Sequence, residues 1–294
     1  MLRDFHRKLQ RLSTIHVDED WVLDERMSED AGAGRSLKAI RFEPLSPRRY
    51  AEQVLWRGVE KVVLMSATVR EKTANLLGIG NDEMEFAEYP STFDPKRRPV
   101  IIVPSVRMNY RNEQNDALMH LHLARIDQII KGRLDRKGLI HAVSYKRAEF
   151  IRDNSDYGQY MIIHNSHNRA EAVERFRQAA PPAIIISPSL DTGYSFDDDE
   201  CRYVIIAKIP FASAQDKIVK ARRERDPEYG LFLAAQNLVQ MSGRAVRSSR
   251  DWSETLIVDD NFSWFRHQAR AFIPSWWWDA VQDVVAVPKP LMIE

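Results

Sequence analysis

Ala183-Ile-Ile-Ile-Ser-Pro-Ser-Leu-Asp-Thr-Gly-Tyr-Ser-Phe-Asp-Asp-Asp-Glu-Cys-Arg-Tyr-Val-Ile-Ile-Ala207 sets two apolar, largely β-branched runs on either side of a polar loop. Neither run alternates with polar residues, so each needs cover on both faces, as strands of a helix-flanked parallel sheet do. The same pattern recurs at Val62–Met65, Val100–Val103, Leu139–Val143, Met161–Ile163 and Leu256–Val258. Between the runs lie segments with helical spacing: Glu71–Leu77, Gln114–Ile130, Lys146–Asp153, Ala170–Ala179, Ala214–Arg223 and Tyr229–Arg247. Strand–helix alternation predicts a doubly wound, mainly parallel α/β sheet flanked by helices. Such sheets bind ligands beyond the carboxyl ends of their strands, so the residues after each run are the candidates.

Ser66-Ala-Thr68 follows the first run. Thr68 with Glu71 three residues on fits a capping box, which leaves Ser66 unexplained. Ser144-Tyr145 follows the third run, where a helix then starts. The Ser187–Glu200 loop, with its single Gly193, suits either a phosphate backbone or a plain surface turn. Its acidic run Asp197–Glu200 is expected to face solvent rather than hold a metal.

Leu238-Val-Gln-Met-Ser-Gly-Arg-Ala-Val-Arg-Ser-Ser-Arg250 reads as two helical stripes. Ala235, Leu238, Val239, Ser242 and Val246 are spaced to face a core. Gln236, Gln240, Arg244 and Arg247 form the neighbouring stripe, aiming two guanidiniums suited to phosphate oxygens. A solvated face with a chance Arg pair is the plain alternative. Gly243 costs a helix about 1 kcal/mol against Ala, so close approach of a backbone or ligand is expected there.

The chain has 294 residues, 44% hydrophobic and 29% charged, enough for one large or two small domains. A net charge of +1 gives no overall basic field, so a nucleic-acid site must be local. Cys201 is the only cysteine, which excludes an intrachain disulfide or a cysteine-rich metal site and fits a reducing cytosol. No apolar run reaches the length of about 18 residues that suggests a membrane span, and the charged N-terminus is unlike a signal peptide. The expectation is a soluble, cytoplasmic or otherwise intracellular protein without a membrane partner.

Residues 1–59 read as a lead-in: a short basic helix at Leu2–Leu12, a flexible turn at Asp30–Arg35, and a helix opened by Ser46-Pro47 and running to about Trp56. Residues 60–270 carry the α/β pattern, and 271–294 form a tail. Lys217, Lys220, Arg222, Arg223 and Arg225 crowd one segment, either as a phosphate-contacting stripe or as a solvated helix balanced by Asp216, Glu224 and Asp226. Trp276, Trp277 and Trp278 cannot share one helix face, so at least one should enter the core. His164 and His167 have metal-ligand spacing but no third ligand nearby, and are expected on the surface.

Ser66-Ala-Thr68, the Gly193 loop, Val204-Ile-Ile-Ala-Lys-Ile-Pro-Phe211 and Gln240-x-x-Gly-Arg-x-x-Arg247, in this order, resemble superfamily 2 helicases. More narrowly, Phe42 to Ala280 is similar to the second motor domain of XPD/DinG-type DNA helicases. Phe93-Asp-Pro-Lys-Arg-Arg98 and Asp259-Asp-Asn-Phe262 sit where that group has similar strings. The resemblance implies a RecA-like domain of an ATP-dependent DNA helicase. It implies that Ser66 and Thr68 couple hydrolysis to DNA movement. Thr192, Gly193 and Phe196 would touch DNA and nucleotide, and Gly243 would lie by the nucleotide. Gln240, Arg244 and Arg247 would reach the terminal phosphate, where preorganised cations accelerate phosphoryl transfer. Ser144, Tyr145, Ser189, Lys217, Lys220, Arg222 and Arg223 would meet single-stranded DNA.

Two departures accompany the resemblance. The group's fifth motif reads Glu-Gly-x-Asp-Phe, whereas this chain has Thr192-Gly-Tyr-Ser-Phe196. There is also no phosphate loop of the Gly-x-x-x-x-Gly-Lys-Ser/Thr type and no Asp-Glu-x-His or Asp-Glu-x-Asp magnesium box. ATP and Mg2+ would therefore be held mainly by a missing N-terminal lobe, supplied by the same polypeptide or a separate subunit, and the isolated chain would be inactive. A non-catalytic nucleic-acid or protein-binding module descended from such a lobe is the alternative. An unrelated nucleotide-binding enzyme is disfavoured by the missing glycine loop.

Overall fold

The computed structural model describes residues 6, 21–30, 35–164, 168–188 and 194–293. In chain order, β1 (Trp21–Asp30) and β2 (Arg35–Pro44) are followed by α1 (Arg48–Ala51) and α2 (Glu71–Leu76). Next come β3 (Val100–Val106), α3 (Asp116–Lys131), β4 (Lys137–His141), α4 (Tyr145–Asn154), β5 (Met161–Ile163), α5 (Arg169–Gln178) and β6 (Ala183–Ser187). The chain continues with β7 (Tyr203–Ile206), α6 (Lys217–Arg225), α7 (Tyr229–Ser242) and β8 (Glu254–Asp259). It closes with α8 (Asn261–Gln268), α9 (Ser275–Trp278) and β9 (Val281–Asp283). Two compact units result. The first takes Met1–Met65, Glu71–Phe86 and Ala212–Gly230, and the second takes Ser66–Arg70, Ala87–Phe211 and Leu231–Glu294.

The second unit holds a seven-stranded sheet in the order β5-β6-β4-β7-β8-β3-β9, parallel at every pairing. Strands β6, β7 and β8 are buried at every residue, so both faces are covered, as their unbroken apolar runs require. Gly138 in β4 has a steric reason: a Cβ there would lie 2.1 Å from the Tyr203 ring on β7. At the amino ends of the strands, Arg133 grips Glu254 with two hydrogen bonds of 2.7 and 2.8 Å, and neither side chain reaches solvent. At the carboxyl ends, the buried Asp259 carboxylate accepts from the backbone N–H of Met108, Ile209 and Asn261, each at 2.9 Å. Burial raises the Asp259 pKa, opposed by those N–H donors.

In the first unit, β1 and β2 form an antiparallel hairpin in register from Trp21↔Pro44 to Asp30↔Arg35. Trp21 donates to the Tyr50 hydroxyl at 2.7 Å, and Arg41 pairs with Asp216 at 2.9 Å. Among the described residues no helix is long and apolar enough to cross a membrane.

Several elements differ from the sequence reading. Val62–Met65 is not a strand: it stands outside both sheets, and its side chains are exposed. A strand exists only through ladder bonds to a neighbour, and none is provided among the described residues. Helix α7 stops at Ser242, five residues before Arg247. There the Ser242 hydroxyl donates back to the Val239 carbonyl and accepts from Trp277 Nε1 at 2.7 Å. The Arg244 carbonyl then accepts from Phe196 N–H outside any helix. Hence Ala245, not Val246, is the fully buried residue of the turn, while Val246 is half-buried. The hairpin and β9 were not anticipated. The expected Leu2–Leu12 helix, apart from His6, and the tip of the Asp30–Arg35 turn lie outside the described residues.

Candidate functional site

The chain leaves β4 towards β5 on one side of the sheet and leaves β7 towards β8 on the other, so the connections diverge between β4 and β7. A parallel sheet opens a ligand crevice at such a point. Three charged side chains meet there. Glu113, from the loop after β3, accepts from Lys208 at 2.7 Å and from Arg147 of α4. Burial pushes the Glu113 carboxyl up, but Lys208 and Arg147 hold it below its ordinary value. Arg147 also donates to the Ala142 carbonyl at the end of β4. Val143 beside it adopts φ 63°, a conformation rare for a β-branched residue and one that concentrates at functional sites. Lys208 directly after the β7 run was a visible signal for this cluster, whereas Glu113 lay in no motif.

Gln240 of α7 donates from Nε2 to the Thr68 hydroxyl at 3.1 Å. Thr68 is buried, and Ser66 beside it is exposed, with the two hydroxyls 3.3 Å apart. Since α2 begins only at Glu71, the Thr68 hydroxyl serves Gln240 rather than a capping box. Two segments far apart in sequence are thereby joined.

The two arginines differ because the helix ends before them. Arg244 is buried and donates to the Tyr194 carbonyl at 2.7 Å. Arg247 is exposed. Its backbone N–H donates to Asp251 at 3.0 Å, and Asp251 pairs with the partly buried Arg202 at 2.7 Å. Arg202 in turn lies over the Trp252 ring, 4.6 Å from its centroid. The turn from Arg244 to Asp251 is thus pinned at both ends, and it presents the Arg247 guanidinium outward. Arg202 and Asp251 were missed, since an Arg and an Asp 49 residues apart form no local pattern.

The other sequence candidates are distributed as follows. Ser144 caps α4, its hydroxyl accepting from Arg147 N–H at 3.3 Å, and Tyr145 is exposed beside it. Gly243 is exposed, and a Cβ there would meet only the carbonyls of Val239 and Gln240, so no other described segment approaches it closely. Phe196 is fully buried against Phe176, a packing position. Lys217, Lys220, Arg222 and Arg223 belong to the first unit, on α6. Arg222 is tied to Glu43, the Pro44 and Leu45 carbonyls and the Tyr229 hydroxyl, while Lys217, Lys220 and Arg223 are exposed. Ser189, Thr192, Gly193 and His167 lie outside the described residues. His164 is not a surface residue: it is fully buried and meets Ser187 Oγ at 2.9 Å. Trp277 enters the core, Trp276 stacks with Arg98, and Trp278 packs edge-on against Trp277. Among the described residues no three His, Cys, Asp or Glu side chains gather to hold one ion, so this part of the chain offers magnesium no donor set.

Residues 133–280 match the family model described as the helicase C-terminal domain. The chain is similar to the ATP-dependent DNA helicase DinG of Photobacterium profundum, at 22% identity over 85% of this chain and 40% of that protein. It is also similar to the ATP-dependent DNA helicase YoaA of Escherichia coli, at 26% identity over 67% of this chain and 32% of that protein. Among solved structures an XPD helicase superposes with a TM-score of 0.61 at 14% identity, covering 95% of this chain and 50% of that one. This last likeness concerns the fold, which is RecA-like. The chain spans about two fifths or less of the length of these curated relatives.

Proposed function

This chain belongs to the helicase C-terminal domain family, and from that premise we propose that it is the C-terminal motor lobe of an ATP-dependent DNA helicase. Residues 60–270 do the motor's work, with 1–59 as lead-in and 271–294 as a tail packing on the domain. A second, N-terminal lobe supplies the phosphate loop and the magnesium carboxylates, and the chain works inside the cell on single-stranded DNA.

The observation that carries this reading is the exposed Arg247 on a turn fixed by Arg244 and Asp251. A cation held in place before the reaction stabilises phosphoryl-transfer charge without reorganising at the moment of chemistry. The Gln240–Thr68 bond gives a route from that turn to the Ser66–Thr68 segment. When bound, ATP with its magnesium supplies the phosphoryl group. This chain's contribution is to present Arg247 to the terminal phosphate and to hold DNA. Arg244, being buried, acts as the support of the turn.

The DNA part is tested by titrating the chain with a fluorescent single-stranded oligonucleotide across a salt series. Weak binding that falls steeply with salt is expected. Lys220→Glu with Arg223→Glu, both exposed on α6, should lower affinity and flatten the salt slope. Binding that is absent at low salt would remove the DNA assignment. Binding that these changes leave untouched would remove α6 from it.

A further inference from the structure

Val62-Val-Leu-Met65 has the composition of a strand buried on both faces, yet its exposures are 44%, 81%, 37% and 87%. The comparable runs Ile184-Ile-Ile186 and Val204-Ile-Ile206 in the same chain are at 0%. The anomaly extends upstream, for Val54, Leu55 and Val59 are exposed as well. Half of the exposed large apolar side chains among the described residues therefore fall between Val54 and Met65. Scattered exposed apolar residues need no explanation, but a concentrated patch marks an interaction surface.

We infer that Val62–Met65 is a strand awaiting a partner's sheet, and that its partner is the α/β lobe that completes the motor. An unbroken apolar run with no polar side needs helices above and below it, so an interior or helix-covered position in a parallel sheet fits and a one-sided groove does not. The adding of a strand to an open sheet edge uses main-chain bonds for affinity and alternate side chains for fit. The similar XPD structure contains as much chain again beyond its match to this one, which is room for such a lobe. Directly after the run, Thr68 holds Gln240, so pairing of Val62–Met65 would anchor the Ser66–Thr68 segment at the joint between lobes. The inference rests on the two-lobe reading above but concerns only the contact, not the chemistry.

The test is amide hydrogen exchange of the whole chain, alone and mixed with the portion of the Photobacterium profundum relative outside its matched stretch. In the chain alone, Val62–Met65 should exchange freely; in the mixture those amides should become protected. Val63→Asp with Met65→Asp should leave the melting temperature of the chain unchanged, because both side chains are exposed. The same change should weaken association about a hundredfold or more, since carboxylates would enter a dry sheet. Val63→Thr, which keeps the β-branch, should retain association. Protection already present in the chain alone, or association indifferent to the two aspartates, overturns the proposal. So does self-association that the aspartates abolish, because it would assign the surface to a second copy. A protected strand in a complex without ATPase activity would instead sink the motor reading and leave this contact standing.

Discussion

His141 ends the central strand β4 fully buried, and burial with the nearby Arg244 charge lowers its pKa to about 3. His122, bonded to Ser105 at 2.7 Å, is likewise lowered to about 4 by burial and then by Arg147. Both folded values lie below the ordinary 6.5, so the unfolded chain binds more protons between them. Stability from these two groups is therefore complete above pH about 6.5 and is lost as pH falls towards 4, at up to about 1.4 kcal/mol per unit per histidine. Glu113, held low by its cations, adds loss in the same direction at more acid pH, whereas Asp259, held high, works against it. Urea midpoints measured at pH 7, 6 and 5 should fall with acidity, and His141→Gln should flatten that fall. Midpoints that are constant over this range would mean that the imidazoles titrate normally.

At the scale of elements, the strands were readable because their pattern is local and strong. Runs such as Ile184–Ile186 admit one environment only, and the sheet follows from them. What the sequence concealed was set by partners. Val62–Met65 has strand composition but no neighbour, and α7 ends where Ser242 and Arg244 give their groups to Trp277 and Phe196, which lie 35 and 48 residues away. The site was half legible for the same reason. Gln240, Arg244 and Arg247 stood in a motif, but the burial of Arg244 and the Asp251–Arg202 prop depend on tertiary contacts. The same long-range logic governs the amino edge of the sheet, where Arg133 after α3 meets Glu254 of β8. Glu254→Ala should cost about 3–5 kcal/mol, since it strands a buried guanidinium, and replacing both by Leu and Met should recover most of that. Chemical denaturation of the three proteins decides this, and a mild Glu254→Ala would show that water reaches the pair.

For the molecule as a whole, the account turns on division of labour: this chain positions a cation and DNA, and another lobe holds the nucleotide. Alone it should turn over ATP negligibly even with single-stranded DNA. The most direct measurement compares wild type with Arg247→Ala in the two-lobe enzyme, recording melting temperature, DNA affinity and DNA-stimulated ATPase on one preparation. Exposed Arg247 should change stability by no more than about 0.5 kcal/mol and leave nucleotide-free DNA binding intact. ATP hydrolysis should fall roughly a thousandfold or more. A stable, DNA-competent variant that hydrolyses ATP at the wild-type rate would contradict the account.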